Sequence, residues 1–150
     1  MMHLLEHRFI GTGTALRNPE DAARAINDAL GIGYQDQEMF VVLTMDGRHA
    51  PIRACVTSIG TVNACLVHPR DVFRRALADN ASGVIVAHNH PSGRLSASND
   101  DILLTERLQR AGGILGIEVI DSLILAGTQF LSMREHGDMD TNSAQEAMKV

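Results

Sequence analysis

A short, uninterrupted apolar run near the middle of the sequence restricts the possible folds more than any other feature. Residues 83–87 read Gly-Val-Ile-Val-Ala and contain no polar position. A strand with one face in water alternates apolar and polar residues, so a continuous run of this length is typical of a strand covered on both faces. The sequence therefore predicts a sheet that lies between helices.

The elements around this run have the order of an α/β domain. Helices are predicted from amphipathic spacing and capping residues at 19–30, 68–80 and 98–111, the last stopped by Gly112-Gly113. Further strands are predicted within 38–59, where Asp46-Gly47 indicates a two-residue hairpin, and at 115–125 and 129–133. This order predicts a single α/β (α+β) domain with a mixed sheet flanked by helices.

Composition excludes several classes of protein. The 150 residues carry 13 Lys and Arg against 18 Asp and Glu, a formal charge of −5, which disfavours a protein that binds nucleic acid through bulk charge. Aromatic residues make up 3% with no Trp, so base-stacking platforms are hard to assemble. No apolar run approaches the roughly 20 residues of a membrane span, and the first ten residues lack a secretory signal. A soluble, cytoplasmic protein without membrane contact is expected.

The two cysteines and most of the histidines carry little functional signal. Cys55 and Cys65 lack the spacing of a zinc knuckle or a redox pair, so we expect buried, reduced side chains. Five histidines read as exposed, capping or terminal residues: His3, His7, His49, His68 and His136. The only basic cluster, Arg70, Arg74 and Arg75, reads as the solvated face of the second helix.

The stretch that follows the apolar run carries the chemistry. His88 and His90 are two residues apart at a strand end, so both imidazoles can face one point beyond the sheet edge. Ser98 at a helix N-cap places the Asp101 carboxylate over the start of that helix, facing back along the loop. Two imidazoles and one carboxylate suit Zn²⁺ and leave a fourth position for water, as in catalytic sites.

A zinc hydrolase also needs a group that carries protons near the water. Glu38, at the start of the first predicted strand, is the candidate acid/base, and the Ser98 hydroxyl can stabilise an oxyanion. Each residue also has a structural interpretation. Ser98 and Asp101 form a capping box, a His-x-His pair can be merely hydrogen-bonded, and Glu38 can be an exposed acid.

The segment HNHPSGRLSASNDD resembles the JAMM zinc signature, His-x-His, seven residues, Ser-x-x-Asp, of the JAB/MPN metalloproteases. Its His-Asn-His-Pro-Ser-Gly start is similar to the bacterial RadC family. The resemblance implies zinc ligands His88, His90 and Asp101, an acid/base Glu38 and an oxyanion residue Ser98. It also implies a JAB/MPN-like domain over 16–137, which leaves 1–15 as an N-terminal extension. The acidic, polar composition of the chain end predicts a polar, flexible tail over 138–150.

The sequence departs from the family pattern in two respects. Longer RadC-like proteins have a helical N-terminal region, for which these residues leave no room. The family tends to have Asp-His where this chain has Asp121-Ser122, which leaves the role of that position open. Arg94, in the loop beside the ligands, is either solvated or holds a carboxylate or phosphate of the substrate.

The expected function is zinc-dependent hydrolysis with one metal ion, acting on a peptide or isopeptide bond. Two alternatives stay open at this point. The domain can be a DNA-repair-associated accessory or DNA-binding module that holds metal without peptidase activity, or it can be a metal-dependent nuclease. A peptide or protein is the expected partner, nucleic acid is disfavoured by the net charge, and the oligomeric state is not predicted.

Overall fold

The computed structural model describes residues 7–60 and 67–139. The strands are β1 His7–Phe9, β2 Met39–Met45, β3 Pro51–Ile59, β4 Gly83–Asn89, β5 Glu118–Ala126 and β6 Gln129–Ser132. The helices are α1 Pro19–Leu30, α2 Pro69–Ala78, α3 Asn99–Leu115 and α4 Met133–His136, with a single 3-10 turn at Ile32–Tyr34. Within the described residues, no helix combines the length and apolar character needed to cross a bilayer.

The six strands form one mixed sheet in the order β1-β3-β2-β4-β5-β6. Strand β4 lies antiparallel to β2 and parallel to β5, and every other pairing is antiparallel. The apolar run 83–87 thus occupies an interior strand, all of whose residues are buried. The predicted fold class, a mixed sheet flanked by helices in a single domain, is confirmed.

Two apolar clusters cover the two faces of the sheet. Alternate residues of the central strands β2 and β4 lie on opposite faces of the sheet. On one face, α2 and α3 pack against Phe40, Val42, Val84 and Val86. Their neighbours, such as Val41 and Ile85, pack with α1 and the 3-10 turn. Burial on both faces explains the continuous apolar sequence of residues 83–87, the part of β4 that precedes His88 and Asn89.

The starts of α1 and α3 follow the predicted caps, whereas His68 at the start of α2 makes no capping hydrogen bond with its side chain. The Asn18 side chain accepts a hydrogen bond from the Asp21 backbone N–H at 2.8 Å, Pro19 takes the first helical position, and Gly31 ends α1 in the left-handed region. The Ser98 and Asp101 capping box is present at the start of α3. Asp101 is thereby placed at the third helical position, at the end of β4 where the site lies.

Several predicted boundaries are wrong. The β2–β3 connection is a five-residue loop, 46–50, because the Asp46 side chain accepts from the backbone N–H groups of Arg48 and Ala50. Helix α3 continues through Gly112-Gly113 to Leu115, so β5 begins later than predicted, at Glu118. Strand β1, which pairs with β3, and the short helix α4 were not predicted at all.

Some predictions fall outside the described residues. Cys65, His3 and residues 140–150 of the predicted tail belong to this group, whereas Cys55 is buried and free. The domain boundaries stay predictions. At the C-terminal limit of the described chain, Met139 packs into the core between the sheet and α2 and α3.

Candidate metal centre

Three side chains meet where β4 ends and α3 begins. The Nε2 atoms of His88 and His90 are 3.1 Å apart, and Asp101 Oδ1 lies 3.1 Å from His88 Nε2. Asp101 Oδ2 lies 3.6 Å from His90 Nε2. The side chains of His88 and Asp101 are 3% and 7% exposed, and His90 is partly buried. These residues are the ones predicted as ligands, and their donor atoms can hold one metal ion.

Local structure explains why the two imidazoles converge. Strand alternation places His88 on the same face as Val86, where its ring stacks at 6.1 Å on Phe40 of β2, its partner in the strand register. His90 lies one residue past β4, and its backbone N–H donates to the Leu125 carbonyl oxygen of β5 at 2.9 Å. The backbone therefore stays extended through both histidines, and their side chains point to the same side.

The tautomer of His90 follows from its second ring nitrogen. His90 Nδ1 lies 2.7 Å from the Arg94 carbonyl oxygen, which can only accept a hydrogen bond. Nδ1 therefore carries the proton in the neutral ring, and Nε2 presents its lone pair to Asp101 and His88. A histidine held in this way by a carbonyl is typical of metal sites. By contrast, His88 Nδ1 is buried without a hydrogen-bond partner among the described residues.

The electrostatics of the cluster favour a positive charge at its centre. Burial opposes ionisation of Asp101, but hydrogen bonds with His88 and His90 and from the Ser98 backbone N–H outweigh it and hold its pKa well below the usual range. The hydrogen bond with Asp101 raises the pKa of His90 against the effect of burial, and the charge of Glu38 contributes in the same direction.

The donor set fits a divalent metal ion. A lone pair of His90 and an ionised carboxylate are both acceptors, and two acceptors that face one another are stabilised by a cation or a proton between them. Ligands at 2.0–2.2 Å from a tetrahedral zinc lie about 3.3–3.6 Å from one another. The Nε2 atoms of His88 and His90 are 3.1 Å apart, Asp101 Oδ1 is 3.1 Å from His88 Nε2, and one ligand atom from each of the three residues lies within 4.8 Å of the other two.

The cluster forms part of the wall of an open cavity of about 510 Å³. Glu38, immediately before β2, and Ser98 line the same cavity, so the structure brings all five predicted site residues together. The Ser98 hydroxyl oxygen accepts from the Asp101 backbone N–H at 3.1 Å, which leaves its hydrogen for another acceptor. The catalytic roles of Glu38 and Ser98 stay predictions.

Arg94 and Ser122, whose roles the sequence did not decide, differ in their position relative to the cavity. Arg94 is exposed and lines the cavity, and a substrate contact for it stays a prediction. Ser122 is buried under α3, where its hydroxyl lies 3.3 Å from Thr105 Oγ1, and it does not line the cavity. Among the histidines of the described residues, only His88 and His90 line the cavity.

Sequence reasoning missed Asn89, the residue between the two histidines. Its side chain is 1% exposed and makes hydrogen bonds to the backbone on both sides of Glu38. An asparagine at the end of an apolar strand is expected to be buried, and a buried polar side chain needs hydrogen-bond partners. This requirement was the signal in the sequence that could have pointed to Asn89. The sequence could not identify those partners, because they lie about fifty residues away along the chain.

Comparison with known proteins places the chain among bacterial and archaeal relatives. The family model described as the RadC-like JAB domain matches residues 16–138. The UPF0758 protein of Shouchella clausii is 43% identical over 128 residues, which are 85% of this chain and 55% of that protein. The UPF0758 proteins of Thermotoga maritima and Methanosarcina mazei are 44% and 41% identical over 106 and 103 residues, or 71% and 69% of this chain. The chain spans about half the length of the curated relatives it matches.

Proposed function

The chain belongs to the family of RadC-like JAB domains, and from this premise we propose that it is a zinc-dependent hydrolase of peptide or isopeptide bonds. One observation carries the proposal: the imidazole and carboxylate donors of His88, His90 and Asp101 converge in an open cavity that Glu38 also lines. A metal centre beside a separate carboxylate is the arrangement that hydrolysis by an activated water requires.

Each of these cavity residues has a different role in the proposed reaction. His88, His90 and Asp101 would hold the metal ion. A bound zinc ion supplies a Lewis acid and lowers the pKa of a water ligand to about 7. Glu38 takes the proton from the attacking water and passes it to the leaving amine. The Ser98 hydroxyl donates a hydrogen bond to the oxygen of the carbonyl as it becomes negative.

The charges around the cavity favour an amide over a phosphodiester. Its lining includes the carboxylates of Asp36, Glu38 and Asp101, with Arg94 as the arginine among the lining residues. A polyanionic nucleic acid would approach these carboxylates at an electrostatic cost. Hydrolysis of phosphodiesters also commonly uses two metal ions, and the residues described here offer ligands for one. A peptide or protein is therefore the proposed substrate.

Glu38→Gln tests the proposal. We expect the zinc-loaded variant to retain zinc, because Glu38 is not a ligand, and to lose about 10²–10⁴-fold in turnover of a fluorogenic peptide library. Elemental analysis of the purified protein measures the metal.

Glu118→Gln is the matched control. Glu118 begins β5 beside the start of β4, at the end of the strands opposite to His88, and it pairs there with Arg134. It should keep full activity. A Glu38→Gln protein with the turnover of the unmodified protein, or a zinc-loaded unmodified protein that cleaves no member of the library, would contradict the proposal.

A further inference from the structure

We propose that Asn89 is a positioning residue that holds Glu38 at the metal centre, so that the end of one strand places both the metal ligands and the proton carrier. The inference rests on the proposed function for the role of Glu38. It extends that function by giving a positioning role to Asn89, whose side chain is not among the candidate metal ligands and does not line the cavity.

The contacts of Asn89 surround Glu38 along the chain. Asn89 Oδ1 accepts from the Met39 backbone N–H at 2.7 Å. Asn89 Nδ2 donates to the carbonyl oxygens of Gln37 at 2.9 Å and Gln35 at 3.3 Å. One side chain therefore anchors the main chain before and after Glu38, at residues 35, 37 and 39.

Strand alternation makes this possible. Because consecutive side chains of a strand point to opposite faces, Asn89 faces away from His88 and His90 and toward the segment that leads into β2. Residues 35–38 are neither helix nor strand, so no regular series of backbone hydrogen bonds holds them, although the Gln35 N–H donates to the Ile32 carbonyl oxygen at 3.2 Å. Gly60 N–H supplies a further anchor by donating to the Glu38 carbonyl oxygen at 2.8 Å.

The chemistry of the contacts calls for an amide. The backbone presents one donor and two acceptors to a side chain that is 1% exposed. An amide matches this pattern with one oxygen and one NH₂ group, whereas a carboxylate of the same size sets its oxygen against two carbonyl oxygens. Asn89→Asp should therefore release the segment although it preserves the shape of the side chain, and Asn89→Ala should release it by removing the anchor.

The first test measures position in the absence of substrate. In the cobalt(II)-loaded protein, the pseudocontact shift of the Glu38 Cδ resonance reports where that carboxylate lies relative to the metal. We expect the shift to collapse toward an averaged value in Asn89→Ala and Asn89→Asp. The Met39 amide should also exchange with solvent about tenfold faster or more in Asn89→Ala, which removes its acceptor.

Asn27→Ala is the matched control. Asn27 likewise bridges backbone groups, accepting from Gly33 N–H at 2.8 Å and donating to the Gly127 carbonyl oxygen at 3.0 Å, but it makes no bond to residues 35–39. Its loss should leave the Glu38 shift unchanged. If Asn89→Asp leaves the Glu38 shift unchanged, the inference is overturned; this variant keeps the test valid should Asn89→Ala fail to fold.

The second test is kinetic and separates positioning from general stability. On a peptide that the unmodified enzyme cleaves, Asn89→Ala should lower kcat by roughly 10–100-fold, the cost of displacing a catalytic group by about 1 Å, with KM and zinc content unchanged. In the Glu38→Gln background the same substitution should cause no further loss, because its effect passes through Glu38.

The outcomes of the two tests are distinguishable. An equal loss of kcat in both backgrounds overturns the positioning role. An unmodified protein that cleaves no peptide overturns the proposed function, whereas the cobalt shift still decides whether Asn89 holds Glu38.

Discussion

The Asp101 carboxylate faces both the start of α3 and the two histidines. Oδ2 accepts from the Ser98 backbone N–H at 2.8 Å and completes the capping box, whereas Oδ1 lies 3.1 Å from His88 Nε2. The structural and the metal-binding interpretations of Ser98-x-x-Asp101 are therefore compatible, because one carboxylate completes the cap and can also serve as a metal ligand. The cap fixes the direction of the side chain before any metal arrives, which lowers the entropy lost when the ligands are ordered around an ion.

Asp101→Asn should remove metal binding while it retains the helix cap. The amide oxygen can still accept from the Ser98 N–H, but the negative charge that attracts a cation is lost. We expect zinc affinity to fall by more than about 100-fold, since substitutions of outer-shell partners alone cost roughly 10–100-fold. Competition with a chromophoric chelator measures this affinity. Asp100→Asn, an exposed neighbour in the same helical turn, should bind zinc normally; equal affinities for the two variants would refute the ligand assignment.

Cys55 provides a prediction about pH. Burial raises the pKa of its thiol from 9.0 to about 11, with the charges of Arg75 and Arg53 acting in the opposite direction. At pH 8 the folded protein then contains about 100-fold less thiolate than the unfolded chain, and the thiolate is the reactive form. In a Cys65→Ser background, alkylation by iodoacetamide should be slower by at least that factor in the native protein than in urea. Comparable rates would show that Cys55 is not protected.

The same pKa has a consequence for stability. Because the folded state keeps the proton more tightly, the free energy of unfolding is unaffected by this thiol below pH 9 and falls as the pH rises from 9.0 toward about 11. Urea unfolding at pH 8 and at pH 10.5 measures the difference, and Cys55→Ala should abolish this part of the dependence.

At the scale of elements, α3 shows that a glycine pair need not end a helix. An added Cβ at Gly112 would lie 2.2 Å from the Ile117 carbonyl oxygen and 3.2 Å from the Phe73 ring. Gly112 is therefore needed where α3 approaches the start of β5 and the side chain of α2. The helix ends instead at Gly116, whose φ of 74° lies in the left-handed region and whose N–H bonds to the Gly112 carbonyl oxygen.

Gly112→Ala should consequently destabilise the protein, although alanine is the better helix former by about 1 kcal/mol. The clash is with backbone, which cannot move aside, so we expect a net loss of roughly 1–3 kcal/mol in the free energy of unfolding. Chemical denaturation measures it. Gly47→Ala, where the added carbon would meet only Ser82 Oγ at 3.8 Å, should change stability little. A Gly112→Ala variant that is more stable than the unmodified protein would contradict the packing argument.

At the scale of the whole molecule, the distribution of charge bears on partners. The formal charge is −5, and the arginines of α2 do not form an uninterrupted patch, since Asp71 lies among them and Arg75 is partly buried. The cavity itself carries three carboxylates. Long-range attraction of a nucleic acid therefore has little support in this chain.

A gel-shift titration should accordingly detect no salt-sensitive binding of this chain to single- or double-stranded DNA at about 0.05–0.2 M salt. The physical reason is that binding through phosphate contacts releases counterions and needs clustered basic residues. A shift that weakens steeply with added salt would favour the DNA-associated alternative, and Arg70→Glu with Arg74→Glu would then locate the contact on α2.

The sequence by itself determined the features that depend on local geometry. Strand alternation places two residues at i and i+2 on one side, and a capping box turns a carboxylate over the start of a helix, so the spacing of His88, His90 and Asp101 was enough to predict their convergence. The strand covered on both faces, 83–87, was also predictable from local sequence, because a strand buried on both faces requires a continuous apolar run.

Only the tertiary structure decided what depends on contacts between distant segments. Glu38 lies at the cavity because Phe40 pairs with His88 in the sheet, and Asn89 anchors residues 35–39 from about fifty positions away. The need for glycine at position 112 of α3 depends in the same way on the approach of Ile117. Local dihedral preferences and caps act over a few residues, whereas strand register and close packing arise from which side chains and backbone groups meet when the chain folds.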